Sequence, residues 1–282
     1  MSRLFAPEAV RQAAKRHSAM MRLGDANRRY MAGIAAFAFV VLCLGLVEAE
    51  FSVARMIVGA SRLGDFAILM MPPDPGKSLH LYVFAMIDTL GIALLGTVIA
   101  ATLAFPLAIL ASRNVLPIWF VRFFLRRSFD TVRGVETLIW ALIWISAVGM
   151  GPFAGVLAMA TADFGALGKL FAETIETADQ RPVEGIRSTG GTAAQEFRYG
   201  VLPQVMPVIA GQVLYYFESN TRSATVIGIV GAGGIGLHLS ELIRTLEWQH
   251  VSFVVLMILV AVAAIDFLSS QLRQMIGGQR PV

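Results

Sequence analysis

Charged residues are scarce in this sequence. Asp, Glu, Lys and Arg make up 15% of its 282 residues, whereas 56% of the residues are hydrophobic and the mean hydropathy is +0.69. Soluble domains carry roughly 25% charged residues. The deficit argues against an ordinary water-soluble enzyme and favours an all-α polytopic membrane protein.

Residues that build disulfides and metal sites are also rare. The one cysteine, Cys43, lies in an apolar run, so the chain can form no intrachain disulfide and no cysteine-based metal site. Because the four histidines form neither an HExxH motif nor a close pair, we expect no metal site from His17, His80, His238 and His250.

The motif that cradles nucleotide phosphates, GxxxxGK(S/T), is absent from the sequence. We therefore expect any ATP to be bound by another chain. The net charge of +4 and the pI near 9.6 could indicate nucleic-acid binding. In a membrane protein, however, basic residues mark the loops on the cytoplasmic side. We expect the membrane, and no nucleic acid, as a partner.

Six apolar runs predict six transmembrane helices, each of which needs roughly 20 mostly apolar residues. A long polar tail precedes the first run, so it does not read as a cleaved signal peptide. The third run is the shortest. The predicted spans are Tyr30–Val47, Val83–Ala111, Val135–Val148, Phe153–Phe171, Val205–Val230 and Val251–Leu268.

The distribution of Lys and Arg predicts that both termini are cytoplasmic. In that orientation eighteen of the 23 basic residues fall on the cytoplasmic side and four fall outside. We expect a basic cytoplasmic tail over 1–29, a transmembrane domain over 30–272 and a cytoplasmic tail over 273–282. The tail over 1–29 either lies on anionic lipid or is solvated. Within the longest outer segment, residues 51–71 predict an interfacial helix.

The inner loop from Arg181 to Pro207 (RPVEGIRSTGGTAAQEFRYGVLPQVMP) is the most informative segment. A short helix is expected after Pro182, and Gly190 and Gly191 end it because glycine tolerates a left-handed stop. A second amphipathic helix is expected before Pro203. Two short helices joined by glycine on the cytoplasmic face predict a docking surface.

The spacing of Glu184, Gly190, Leu202 and Pro203 resembles the cytoplasmic EAA loop of ABC importer permeases. The chain departs from that pattern where the family has two alanines, at Gly185 and Ile186, and also at Gly200. These departures resemble the phosphonate importer branch of the family. So do the segments GPFAGVLA (151–158), KLFAE (169–173), PVEGIRSTG (182–190), YGVLPQVMP (199–207) and RSATVIGIVGAGGIG (222–236).

The resemblance runs from about residue 72 to residue 273, with an importer core at about 80–272. It implies a non-catalytic permease subunit in a bacterial inner membrane that moves phosphonate or a related phosphorus oxyanion. It also implies a second permease subunit, identical or homologous, a pair of ATPase subunits that hold ATP and Mg, and a periplasmic phosphonate-binding protein. The residues implied in coupling to the ATPase are Glu184, Gly185, Ile186, Gly190, Leu202 and Pro203.

A second glycine-rich segment fits the dinucleotide fingerprint GxGxxG. That fingerprint requires a preceding strand and a βαβ unit, whereas here it follows a predicted span. We interpret it as a close-packed turn at the outer end of span five. Its residues are Gly231, Gly233, Gly234 and Gly236.

Span five also contains ionisable residues, which are costly in a membrane and are candidates for function. Glu218 and Arg222 are four residues apart and share a helix face. They are either an internal ion pair or part of an oxyanion path, since an arginine fork suits phosphonate oxygens. The path would include Asn220, Ser223 and Thr225. Weaker candidates in other spans are Asp88, Glu136 and Asp163.

Two other functions compete with the permease. An ion-coupled secondary transporter usually shows internal repeats and paired broken helices, and the sequence shows no convincing repeat. An intramembrane enzyme would need clustered catalytic groups, and only the cluster from Glu218 to Arg222 is present.

Overall fold

A computed structural model describes residues 25–115 and 118–277, and these contain helices and no strand. The chain divides into two compact units, one ending at Ala67 and the other beginning at Ile68. The helices, in chain order, are α1 (Asp25–Glu48), α2 (Val53–Leu69), α3 (Leu79–Ala111), α4 (Trp119–Arg133), α5 (Thr137–Val148), α6 (Pro152–Glu176), α7 (Gln180–Ser188), α8 (Leu202–Ile227), α9 (Ile235–Arg244) and α10 (Trp248–Gly277).

The first unit contains α1 and most of α2. In α1 the stretch Tyr30–Glu48 is apolar enough to cross a membrane, and its residues are almost all exposed within the unit. An apolar surface of this kind is stable only against lipid or another apolar partner. The second helix, α2, lies where the sequence predicts a helix over residues 51–71, and no residue of it is buried.

Five helical stretches of the described chain are long and apolar enough to span a membrane: Tyr30–Glu48, Gly76–Ala111, Pro152–Glu176, Ala193–Ala232 and Trp248–Ile276. The third predicted span, Val135–Val148, corresponds to α5, whose 12 residues cover about 18 Å of a core about 30 Å thick. It follows α4 after a bend of 87°. The expected six spans are therefore reached only if α4 and α5 together form one broken span.

The core of the second unit forms where α3 and α6 pack through small residues. The buried face of α3 carries an alanine every four residues from Ala100 to Ala108. Nearby, Gly96 lies against Met159 of α6, so close that an added Cβ would be 2.6 Å from the Met159 Cβ. Small residues let helix backbones approach each other, which is the common packing device in membranes.

The length of α6 separates two glycine-rich segments of the second unit. The helix begins at Pro152, beside the segment around Gly231, and ends at Glu176, just before α7. Its 25 residues rise about 37 Å, which exceeds the thickness of a bilayer core. The segment around Gly231 and the loop that contains Gly190 therefore lie at opposite ends of α6.

Candidate coupling loop and intramembrane polar clusters

The predicted docking loop begins with α7, which starts earlier than expected. The helix begins at Gln180 rather than after Pro182, because the Asp179 side chain caps it by accepting a hydrogen bond from the Arg181 N–H at 3.1 Å. Gly190, with φ +83°, lies just beyond its end. The Gly190 N–H donates to the Arg187 carbonyl at 3.0 Å. This is the left-handed stop that the glycine predicts.

The second helix of the loop differs from the expectation. A single helical turn, Ala193–Gln195, is capped by Thr192 and continues through a π-helical turn, Glu196–Val201, directly into α8. Pro203 is the second residue of α8 and lies where the π-helical turn passes into the α-helix. The chain therefore forms a long continuous helical stretch, Ala193–Ala232, instead of a separate amphipathic helix.

Three contacts fasten α7 to this stretch. Val183 is buried, and a Cβ on Gly200 would be 3.0 Å from its Cγ2. Gln204 accepts from the Asp179 N–H at 3.0 Å and donates to the Asp179 carbonyl at 3.1 Å. Arg187 donates to both carboxylate oxygens of Glu196 at 3.0 and 2.8 Å. These hydrogen bonds lower the pKa of Glu196 and raise the pKa of Arg187.

The fastened loop presents part of the predicted coupling set to solvent. Glu184, Gly185 and Gly190 are exposed, and a Cβ added at either glycine would meet nothing within 4 Å. Pro203 is also exposed, whereas Ile186 and Leu202 are half-buried. The exposed residues form an open surface, to which Ile186 and Leu202 contribute less.

The other glycine-rich segment is buried. Residues 231–236 are all buried, and Gly231, Gly233 and Gly234 have positive φ angles of 106°, 82° and 71°. A Cβ on Gly233 would be 2.7 Å from the Pro152 nitrogen, and one on Gly236 would overlap the Thr225 carbonyl oxygen. The Gly151 N–H donates to the Gly231 carbonyl at 3.0 Å. The segment is a packing element in which backbone approaches backbone.

Arg222 belongs to a four-residue ionic network that joins α8 to α10. Its Nη1 donates to the two carboxylate oxygens of Asp266 at 3.1 and 3.3 Å, and its Nη2 is 3.8 Å from Glu218. Glu218 also lies 2.8 Å from Arg273. Two cations and two carboxylates give the network no formal net charge.

Asn220 lies on a different face of α8 from Arg222. It is buried and donates to Thr97 of α3 at 2.8 Å and to Asp163 of α6. Thr97 and Asp163 are buried as well. Buried polar groups are stable when hydrogen-bonded, so this triad ties three helices together. The weaker candidate Asp163 thus acquires a structural partner that the sequence did not indicate.

The remaining candidates from the sequence do not join either cluster. Ser223 donates to the Ser219 carbonyl of its own helix at 3.4 Å, and Thr225 is half-buried. Asp88 is exposed on α3, and Glu136 occupies the position before the first residue of α5. Sequence reasoning missed Asp266 and Arg273. Asp266 could have been found, because it is an ionisable residue inside the sixth predicted span.

The chain matches the family of binding-protein-dependent transport system inner membrane components over residues 104–277. It is 39% identical over 250 residues to HtxC of Stutzerimonas stutzeri, named for a phosphite transport system permease, and the match covers 89% of this chain and 88% of that one. A relative from Escherichia coli (strain K12), named for a phosphonate transport system permease, is 52% identical over 110 residues, which are 39% of this chain and 90% of that one.

Solved structures show the same fold. A chain of an amino acid ABC transporter superposes with a TM-score of 0.60 at 19% identity, and the match covers 71% of this chain and 95% of that one. At that identity the likeness concerns the helical architecture alone.

Proposed function

The chain belongs to the family of binding-protein-dependent transport system inner membrane components, and from this premise we propose that it conducts phosphite or a phosphonate through the membrane. It is a multi-span permease subunit of an ABC importer and not an enzyme. We place its two termini on the cytoplasmic side, as the distribution of Lys and Arg favours.

One observation carries the choice of substrate. The 39% identity to a phosphite permease extends over nearly the whole of both chains, and a phosphonate permease is 52% identical over a shorter stretch. Phosphite and phosphonates share a tetrahedral phosphorus with anionic oxygens. A single pathway can therefore accept both.

Coupling to ATP hydrolysis is assigned to the loop that contains α7. We propose that a pair of ATPase subunits holds ATP and Mg, that this chain binds neither, and that Glu184, Gly185 and Gly190 contact the ATPase. The support is geometric, since these residues are exposed on a loop fastened by Val183 and by the pair of Arg187 and Glu196. A rigid protrusion can transmit a displacement of the ATPase to α8, with which it is continuous.

Two further partners complete the proposed transporter. A second permease subunit, identical or homologous, forms the pathway with this chain, and a periplasmic binding protein delivers the phosphonate or phosphite. Large apolar side chains exposed within the second unit support the need for a neighbour or lipid, among them Met206 and Val208 of α8.

Arg222 is assigned to the ionic network rather than to the oxyanion path. Its guanidinium already contacts both oxygens of Asp266, and the network of four residues carries no net charge. An incoming anion would have to displace Asp266 before it could use the arginine fork.

Charge-removal variants separate the two roles of Arg222. Arg222→Gln or Asp266→Asn alone leaves the network with an uncompensated charge between two membrane-spanning helices, and each is expected to lower uptake. The double variant Arg222→Gln, Asp266→Asn should recover most of the lost uptake. Arg222→Gln with Glu218→Gln is the matched control and should recover less, because Asp266 stays unpaired. A well-inserted Arg222→Gln, Asp266→Asn variant without uptake would show that Arg222 acts on the anion.

The substrate is tested by uptake in proteoliposomes that contain this chain with its ATPase and binding protein. Radiolabelled phosphite or methylphosphonate should accumulate with ATP, and each should compete with the other. Uptake of phosphate alone, or accumulation without ATP, would contradict the proposal.

A further inference from the structure

A strongly cationic cavity opens between α4 and the ends of α3 and α6. Its volume is about 290 Å³, and its lining includes five cations and one carboxylate, Asp130. The cations are Arg113, Arg122, Arg126, Arg127 and Lys169. The cavity therefore has a positive charge that the residues of its lining do not neutralise.

The cations of this cavity differ in how strongly the protein holds them. Arg126 lies 2.6 Å from Glu176, and Lys169 lies 2.7 Å from Asp130, so both are committed to ion pairs. Arg127 is only 3.6 Å from Asp130, which Lys169 already contacts more closely. Arg122 makes no ion pair with any residue in 25–115 or 118–277. Arg113 is 3.9 Å from Glu176, to which Arg126 is closer. Arg122 and Arg127 are thus the two cations of α4 that are free to bind an external anion.

The same helix carries an exposed aromatic surface next to these cations. Trp119, Phe120 and Phe124 are 63%, 70% and 65% exposed, and Trp119 stacks on Phe123 with ring centroids 5.3 Å apart. The Arg127 guanidinium lies 5.5 Å from the centre of the Phe123 ring. With its bend of 87° to α5, α4 has the composition of a helix that lies in the membrane interface.

We propose that this cavity binds the headgroup of an anionic phospholipid, whose phosphate lies between Arg122 and Arg127 and whose acyl chains contact the aromatic surface. The positive charge of the cavity favours an anion. The exposed aromatic side chains favour an anion that carries acyl chains. The cavity lies close to the start of the coupling loop, because the N–H of its lining residue Arg113 donates to the Glu176 carboxylate at 2.7 Å, four residues before α7 begins. A bound lipid would therefore brace the region from which α7 emerges.

The test measures lipid selectivity of the full chain in nanodiscs. Spin-labelled phosphatidylglycerol and phosphatidylcholine are compared by the motionally restricted fraction of each. The wild type should prefer the anionic lipid, and the double variant Arg122→Gln, Arg127→Gln should lose that preference, with about fivefold weaker association for each cation removed. Arg122→Lys with Arg127→Lys keeps the charge and should keep most of the preference.

A matched control removes two exposed cations from the loop instead, through Arg181→Gln and Arg198→Gln. It should keep the preference for phosphatidylglycerol, although the net charge changes equally. Equal binding of both lipids by the wild type would overturn the proposal. So would displacement of the labelled lipid by millimolar inorganic phosphate, which would indicate a site for free anions. Loss of ATPase co-purification in the Arg122→Gln, Arg127→Gln variant, with lipid preference unchanged, would identify a protein contact instead.

Discussion

The two glycine-rich segments of the second unit use glycine for opposite reasons. Around Gly233 and Gly236 an added Cβ would collide with backbone atoms, so these glycines allow close packing. At Gly185 and Gly190 an added Cβ would meet open space, and only Gly190 has a positive φ. The first segment is closed by its own chain, whereas the second leaves a surface open. The sequence alone therefore does not distinguish a glycine that allows close packing from a glycine on an open surface, whereas the surroundings of each glycine in the structure do.

The largest effect is expected from Gly236→Ala. The new methyl group would overlap the Thr225 carbonyl oxygen, and neither backbone can move independently in the packed turn. We expect the free energy of unfolding to fall by about 3 kcal/mol. This loss of stability is measured by thermal unfolding in detergent and by the abundance of the variant in the membrane. Gly211→Ala, at a glycine of α8 with nothing within 4 Å, is the control and should remain near wild type.

A smaller effect is expected from Gly190→Val, which is strained but not crowded. The left-handed backbone costs an L-residue about 1–2 kcal/mol, and a β-branched side chain fits it poorly. The end of α7 should shift, so uptake should fall several-fold while the protein remains inserted. Asn tolerates this conformation, and Gly190→Asn should retain more uptake. Equal uptake by the Val and Asn variants would refute a role for the backbone stop.

The pair of Arg187 and Glu196 predicts a pH dependence of the loop. Because the ion pair lowers the pKa of Glu196, it contributes stability above the ordinary Glu pKa of about 4.3 and is lost only as pH falls through the lower native value. In Arg187→Gln the pKa of Glu196 should rise toward the ordinary value. Carbon-13 NMR of labelled carboxyl groups measures this, with Glu196→Gln as the assignment control. An unchanged titration would contradict the pairing.

The smallest effect is expected from Gly185→Ala. The position is inside α7 with free space around it, so alanine should stabilise the helix by about 0.5–1 kcal/mol. Uptake should be near wild type, as judged at matched membrane abundance. Lost uptake in a well-inserted variant would show that the open surface requires the absence of a side chain at this point.

The loop and its glycine stop were predictable because their signals are local. A proline and a glycine restrict the backbone locally, so Pro182 and Gly190 predict where a helix begins and ends. The observed α7 differs from that prediction only at its start, which the Asp179 cap moves to Gln180. The same local reasoning grouped Asn220 with Arg222. Two residues apart on an α-helix are about 200° apart, so one side chain faces α3 and α6 while the other faces α10.

The hydrogen-bond partners of the polar residues in α8 could not be predicted from the sequence, because they are far away along the chain. The partners of Arg222 and Asn220 lie 44 and 57 residues away, at Asp266 and Asp163. No spacing rule connects them before the helices are packed. The bend between α4 and α5 was also missed, because charged residues in α4 shortened the apolar run without revealing the direction in which the chain turns.

Cross-linking at Gly185 tests most directly whether the open surface docks on the ATPase. In a Cys43→Ser background, Gly185→Cys should form a covalent adduct with the ATPase subunit through a short bifunctional reagent, and the yield should change when ATP is added. Lys77→Cys, on the predicted outer side, is the matched control and should give no adduct. The account is contradicted if an inserted Gly185→Cys protein gives no adduct with a co-purifying ATPase, or no more than the control.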